Sequence, residues 1–393
     1  MSHVMNTYAR QPVAFVRGEG VWLWDEAGRK YLDALAGIAV NTLGYNHPRL
    51  TAALRKRIDS GVIHTSNLWR IPDQEAAADR VAEITGLDEV FFCNSGLEAT
   101  EASIKVARKY GHDKGIAEPA IVVMEKAFHG RSLATLSATG SRKVQAGFEP
   151  LVQGFVRVPL NDLDAVRQVA AHNRNVSAVM IEPIQGEGGI NVSRLEYLRG
   201  LKQVCDENGW LFISDEVQCG MGRSGKWFIY QHAGFQPDVV ALAKGLASGV
   251  PVGACVTGNR AKGVFKPGNH GSTFGGNPLA MTAVVTTIDT VKEEKLMERA
   301  ERVGEIISSS LKNEIGSRAA DIRGMGLMIG VELKEPCGEL VKQALDAGLV
   351  INVTADNVIR LLPPLVMSEA EGRQVVERLV PLVKAFLDKR AAA

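Results

Sequence analysis

No stretch of this chain approaches the roughly 20 consecutive apolar residues that a membrane-spanning helix needs, so a membrane span is not expected. Excess charge is missing as well. The 45 Lys and Arg face 44 Asp and Glu, a formal net charge of +1. That gives no field to gather nucleic acid or an anionic membrane. Cysteine is scarce and unpatterned. Cys93, Cys205, Cys219, Cys255 and Cys337 are odd in number and never spaced C-x-x-C. This argues against a disulfide framework or a zinc site and for a reducing compartment. Met1 to Gln11 lacks the apolar core of a signal peptide, so a cytoplasmic location is expected. Internal repeats, low-complexity tracts and flexible linkers are absent too.

What remains is a chain of 393 residues, 46% apolar and 23% charged. That balance is globular, and the length calls for two or three domains, or a large one with a smaller one attached. Four short apolar runs stand out: Ala120 to Met124, Ser177 to Ile181, Trp210 to Ile213 and Val239 to Leu242. Each is continuous rather than alternating, as a strand buried on both faces should be. Helical stretches such as Arg194 to Asn208 lie between them. The fold class expected is therefore α/β, with a mostly parallel, doubly wound sheet. A long helix is expected from about Leu279 to Lys312, followed by a smaller α+β unit. The first forty or so residues are expected to pack on that unit. The division predicted is 1–45, 46–280 and 281–393.

Right-handed crossovers place the C-terminal strand ends on one rim, where open α/β sheets bind ligands. Glu182 follows the second run, Asp215 the third and Lys244 the fourth. The competing reading is that charges merely mark the ends of apolar runs, but three in succession, each before a glycine-rich loop, favour a site.

Two glycine clusters invite a nucleotide reading. Gly220 to Lys226, GMGRSGK, matches both G-x-G-x-x-G and G-x-x-x-x-G-K. A P-loop needs Ser or Thr after its lysine, and Trp227 stands there. A dinucleotide turn should follow its strand directly and open a helix, whereas this one sits five residues on and leads into an aromatic run. Gly324 to Gly330, GMGLMIG, lacks the spacing. A better anion site is Asn94-Ser95-Gly96-Leu97-Glu98, a small turn opening a helix, where free N–H groups and the dipole favour phosphate. Taken alone, the same residues are better explained as an ordinary N-cap.

Lys244, within Ala-Lys-Gly-Leu, has small apolar neighbours that would desolvate its amine and free it as a nucleophile. Taken alone, it reads better as a solvated lysine at a strand end. Together, a lysine for an aldehyde, a carboxylate for a ring nitrogen and a phosphate turn make up what a pyridoxal cofactor requires.

The segments FFCNSGLEATEASIK, AFHGR, IEPIQGEGG, SDEVQCGMGRSGKWF, ALAKGLASGVPVGA, GSTFGGNPLA and IRLLPPL resemble those of the class III, fold type I aminotransferases, from near Tyr8 to the C-terminus. The likeness is strongest to the acetylornithine branch. The resemblance implies pyridoxal 5'-phosphate as cofactor. Lys244 would be its Schiff-base lysine and proton shuttle. Asp215 would pair with the ring nitrogen in a cofactor-binding run with Glu216 and Val217, and Gln218 would bond the phenolic oxygen. Ser95, Gly96 and Leu97 would bind phosphate, and Phe128 would stack on the ring. Thr273 would reach the partner's phosphate in a homodimer, with Ser272 beside it on the substrate. Arg131 would bind a substrate carboxylate, and Arg360 the α-carboxylate of glutamate, with Glu187 as a switch over it. Tyr8 would contact substrate, and Glu182 would support the Gln218 network.

The chain departs from the branch's common pattern at Leu97, at Thr100 and in the loop GLASG after Lys244. The reaction implied is transamination from N-acetylornithine to 2-oxoglutarate. Ornithine, succinylornithine, 4-aminobutyrate and succinyldiaminopimelate are rival donors. A glutamate-semialdehyde aminomutase, a pyridoxal-phosphate-binding regulator and a nicotinamide dehydrogenase are the rivals of other classes.

Overall fold

A computed structural model describes residues 3–391. Its centre is a seven-stranded sheet in the spatial order Glu89–Cys93, Gly253–Thr257, Val239–Leu242, Leu211–Asp215, Val176–Ile181, Ala120–Met124, Phe155–Val158. Five of these strands run parallel, from Val239–Leu242 to Phe155–Val158. Gly253–Thr257 is reversed and pairs antiparallel with both neighbours. All four strands anticipated from continuous apolar runs are buried along their whole length. Each fully buried aliphatic side chain in them contributes about 1.5–3 kcal/mol. Helices cover both faces, so every strand end opens onto one of two rims, and Asp215 and Lys244 follow the same one.

Two further sheets flank this core. The N-terminal strands Phe15–Glu19, Trp22–Asp25 and Lys30–Asp33 form a meander. Its last strand pairs parallel with Leu349–Val350, in the register Leu32 to Leu349. The second sheet is antiparallel, in the order Asp321–Met325, Met328–Glu332, Val358–Leu361, Asn352–Thr354. Arg360 thus lies on an interior strand, opposite Gly330 on one side and Asn352 on the other.

The single helix expected over Leu279 to Lys312 is two, Pro278–Glu293 and Leu296–Ile315. Asn277 starts the first by accepting the N–H of Ala280, with Pro278 in the first turn. The break is at Lys295, which takes a left-handed φ of 52°. Apolar periodicity runs through both helices, so the pattern alone conceals the turn. All five cysteines are free and buried. Among the described residues no helix is long and apolar enough to cross a membrane.

The glycine clusters prove to be partners in packing. The N–H of Leu327 donates to the Arg223 carbonyl at 2.8 Å. The buried Arg223 guanidinium in turn donates to the carbonyls of Leu327 and Pro363, both at 2.9 Å. A Cβ on Gly326 would lie 2.4 Å from the Arg223 oxygen, and one on Gly304 would lie 2.2 Å from the Gly326 oxygen. Three backbones meet here without side chains between them, so no room is left for a nucleotide. Gly304 lies inside the helix Leu296–Ile315, where alanine ordinarily gains about 1 kcal/mol. We expect the opposite sign: Gly304→Ala should destabilise by about 1–3 kcal/mol through overpacking. Chemical denaturation measures this, and a stabilised variant would contradict the packing.

Candidate active site

The turn Asn94–Gly96 joins the edge strand Glu89–Cys93 to the helix Gly96–Asp113. Ser95 caps that helix, its hydroxyl accepting the Glu98 N–H at 3.2 Å. Glu98 reaches back to the Asn94 N–H, completing a reciprocal cap. The N–H groups of Gly96 and Leu97, in the first turn, have no acceptor within the helix and point outward from its positive end. A Cβ on Gly96 would sit 2.6 Å from Val217 Cγ1. Glycine therefore lets the turn close onto the loop that carries Asp215.

Asp215 ends its strand, 3% exposed. One carboxylate oxygen accepts the Val217 N–H at 3.1 Å, and the other accepts from His129 Nδ1 at 2.7 Å. Burial disfavours a charged His129 ring, but the hydrogen bond and charge of Asp215 outweigh it and raise the histidine pKa. Nε2 of this buried ring has no partner among the described residues. Sequence reasoning passed over His129. Its one signal was its place in AFHGR, beside Phe128. Thr100, noted only as a departure, ties the same loop to the helix Gly96–Asp113 by donating to the His129 carbonyl at 2.6 Å.

One expectation needs correction. Glu216, read as cofactor-binding, faces away from the cavity. Its carboxylate takes the Cys219 thiol at 3.1 Å, the Ile229 N–H at 2.9 Å and the Ser214 hydroxyl at 3.2 Å. Burial pushes its pKa up to about 7. The strand ends at Asp215 and the chain turns, which leaves Asp215, Val217 and Gln218 on the cavity and Glu216 on the side of Cys219 and Ile229. Glu182, read as supporting the Gln218 network, accepts the Phe128 N–H at 2.6 Å and the Gly186 N–H at 3.2 Å, and Gly186 packs against the Gln218 amide. It holds the two loops that frame the cavity. Burial raises its pKa to about 7, with the His129 charge opposing.

Gln218 bonds to Arg360, which donates to its amide oxygen at 3.0 Å. The Arg360 side chain is fully buried. It also pairs with Glu187 at 2.5 Å and donates to Asn352 at 3.1 Å, while its Nη2 has no partner among the described residues. Glu187 sits on the loop between the short strands Ile184–Gln185 and Asn191–Val192. Burial alone would raise its pKa, but the charge and hydrogen bond of Arg360 lower it.

Lys244 follows Val239–Leu242 and takes a left-handed φ of 44°, uncommon for a side chain of this size. Burial and the Arg360 charge bring its amine down to about 8, against the pull of Glu187, Glu182 and Asp215. The phosphate turn, the Phe128–Arg131 loop, the loop after Asp215 and the lysine loop enclose one cavity of about 370 Å³. Ser95, Gly96, Leu97, Phe128, Asp215, Val217, Gln218 and Lys244 all line it, and Arg131 sits at its mouth with its guanidinium 5.7 Å from the Phe128 ring. Ser272, Thr273 and Tyr8 do not line it within this chain. Ser272 accepts a bond from Asn94 at 3.1 Å, Thr273 is exposed, and Tyr8 is 73% exposed.

A buried nucleophilic amine, a buried aspartate and a helix N-terminus around one cavity fit a cofactor with an aldehyde, a basic ring nitrogen and a phosphate. The family described as Aminotransferase class-III matches residues 4–383. The chain is a class III aminotransferase. It is 56% identical to the acetylornithine aminotransferase of Nitrosomonas europaea, over 99% of this chain and 100% of that one. Among solved structures it resembles the acetylornithine aminotransferase of Elizabethkingia anophelis, at 35% identity and a TM-score of 0.88, over 98% of this chain and 96% of that one. It also resembles the ornithine aminotransferase of Toxoplasma gondii, at 33% identity and a TM-score of 0.94, over 98% and 94% of the two chains. Class III aminotransferases depend on pyridoxal phosphate, and this one offers that group a free amine, an acid and a cradle.

The lysine geometry has a measurable consequence. Burial and Arg360 disfavour the ammonium, so the neutral amine predominates above about pH 8 rather than above the ordinary 10.5. Borohydride trapping of pyridoxal phosphate on Lys244 of this class III aminotransferase should accelerate up to about pH 8 and level off above it. A rate that keeps climbing to pH 10 would contradict the geometry.

Proposed function

We propose that this aminotransferase moves the terminal amine of N-acetylornithine to 2-oxoglutarate, giving N-acetylglutamate 5-semialdehyde and glutamate. The observation that carries the reading is the pair Arg360–Glu187. A fully buried guanidinium lies under a carboxylate whose side chain is 38% exposed and stands on a loop. Such a pair serves two substrates in turn. With Glu187 in place, the charge of Arg360 is matched, and a donor with no carboxylate beside its reacting carbon is accommodated. With Glu187 swung out, Arg360 offers its fork, including the unpartnered Nη2, to the α-carboxylate of 2-oxoglutarate or glutamate. Arg131 has no carboxylate partner among the described residues, and we assign it the carboxylate of the donor. The names of the relatives from N. europaea and E. anophelis support N-acetylornithine as that donor.

Pyridoxal phosphate, when bound, supplies an aldehyde for amines and a ring that draws electrons from the carbon beside the nitrogen. Lys244 would attach to it, then carry a proton from the donor carbon on its freed Nζ. Asp215, held in place by the His129 ring and the Val217 N–H, would hold a proton at the ring nitrogen. Gln218 has its amide oxygen engaged by Arg360 and one amide N–H directed to Glu187, and its remaining N–H would donate to the phenolic oxygen. The Gly96 and Leu97 N–H groups with the Ser95 hydroxyl would take the phosphate, and Phe128 would lie against the ring.

A homodimer belongs to the proposal. Ile63, Leu68, Trp69 and Phe274 are exposed, and His64 packs against the Phe274 ring at 5.3 Å beside Thr273. An apolar surface of this kind is suited to a second copy, with Ser272, Thr273 and Tyr8 contributing across it.

Purified protein should be yellow, with a cofactor band absent from Lys244→Ala. Half-reactions with N-acetylornithine, ornithine and 4-aminobutyrate, followed on that band, test the donor. Discharge by another amine but not by N-acetylornithine would sink the assignment and leave the family standing. Glu187→Gln should slow the N-acetylornithine half-reaction by about tenfold or more, since loss of a charged partner from a buried guanidinium exceeds about 1.4 kcal/mol. The 2-oxoglutarate half-reaction should change less.

A further inference from the structure

We infer that Ser248 is a positioning residue that ties the lysine loop to an N-terminal strap and so sets the spacing between Lys244 and Arg360. Ser248 is 7% exposed and takes a left-handed φ of 45°, a conformation that favours glycine. What holds it there is a hydrogen bond: its hydroxyl accepts the N–H of Leu43, itself 1% exposed, at 2.9 Å. Without that acceptor a buried donor would be left unpaired.

Leu43 ends a strap with its own strain. Ala36, Gly37, Ile38 and Ala39 have φ of 51°, 63°, 69° and 61°, a run of left-handed residues that is costly for all but glycine. Asp33 fixes its start. The carboxylate accepts the N–H groups of Leu35 and Ala36 at 2.8 and 3.0 Å and the Tyr45 hydroxyl at 2.6 Å. Toward the large sheet the strap is hooked twice, by Ser248 and by the Thr42 hydroxyl, which donates to the Gly245 carbonyl at 3.0 Å. Both hooks flank Lys244 within four residues. Toward the small sheet it is also hooked twice. The N–H of Leu362, two residues past Arg360, donates to the Ala34 carbonyl at 2.7 Å, and that of Leu365 donates to the Thr42 carbonyl at 2.9 Å. The strap is therefore a strut between the amine that reacts and the guanidinium that holds the carboxylate, and Val40 on it lines the cavity.

The inference rests on the assignment of Arg360 to the keto-acid carboxylate. A substrate gripped at both ends is sensitive to that spacing, whereas cofactor attachment needs the lysine alone. Ser248→Ala and Ser248→Gly in the holoenzyme should therefore raise KM for 2-oxoglutarate by about fivefold, the ratio one neutral hydrogen bond carries. They should leave kcat within about twofold and the cofactor band in place. Leu43 amide exchange should quicken in both. Ser248→Gly removes the strained Cβ and keeps the protein folded if the alanine variant fails. Thr42→Val, which cuts the other hook, should split KM from kcat in the same direction. Unchanged Leu43 exchange in the variants would overturn the inference, as would a fall in kcat without a rise in KM. So would a glycine variant that behaves as wild type, since strain alone would then be the cause. If the wild-type enzyme uses a different keto acid, the function proposed above fails, and the same KM shift on that acceptor decides the role of Ser248.

Discussion

A guanidinium fully removed from water is the constraint around which this molecule is arranged. Moving such a charge out of solvent costs several kcal/mol unless partners surround it, and Arg360 draws them from three places. Asn352 comes from the adjacent strand, Gln218 from the loop after the third apolar strand, and Glu187 from the loop between two short strands. Each partner commits its own segment. The Gly186 loop must close over Gln218, where a Cβ on Gly186 would lie 2.3 Å from the amide. The Arg360 charge then reaches Lys244 and helps hold the amine near neutrality. One buried cation thus links the small antiparallel sheet to the lysine that lines the cavity.

A second buried set lines the cavity itself and obeys the opposite logic. Asp215, His129 and Glu182 are 3%, 2% and 5% exposed, yet only the first two form a direct pair. Glu182 is spent on backbone N–H groups of two loops, and its pKa near 7 reflects burial more than any neighbour. Function and architecture are separated here by a few ångströms, and residue type does not distinguish them.

That separation explains what could be read from the sequence. Strands such as Ala120–Met124 and Val239–Leu242 are buried on both faces, so their apolar runs are continuous and conspicuous. The reversed strand Gly253–Thr257, GACVT, is built of small residues and leaves no such trace, although it is equally central. The rim residues Asp215 and Lys244 were legible because strand ends in an α/β sheet share an edge. Glu216 was misread because adjacency in sequence was taken for adjacency in space, whereas the turn after Asp215 sends its carboxylate to Cys219 and Ile229. His129 was missed because a single buried histidine carries no pattern. The helix break at Lys295 escaped because the apolar stripe continues across it. The glycine clusters were correctly set aside as nucleotide motifs, but their mutual packing is a property of two distant segments and no local pattern could reveal it.

The pairing of Leu32 with Leu349 has a consequence for the birth of the protein. On a ribosome adding about 5–20 residues per second, the N-terminal meander emerges on the order of tens of seconds before the strand that completes its sheet. During that interval Lys30–Asp33 presents an open edge, the kind of surface that recruits a neighbouring chain. The cost of stitching the two ends of the chain together falls on synthesis, in a window during which that edge has no strand beside it.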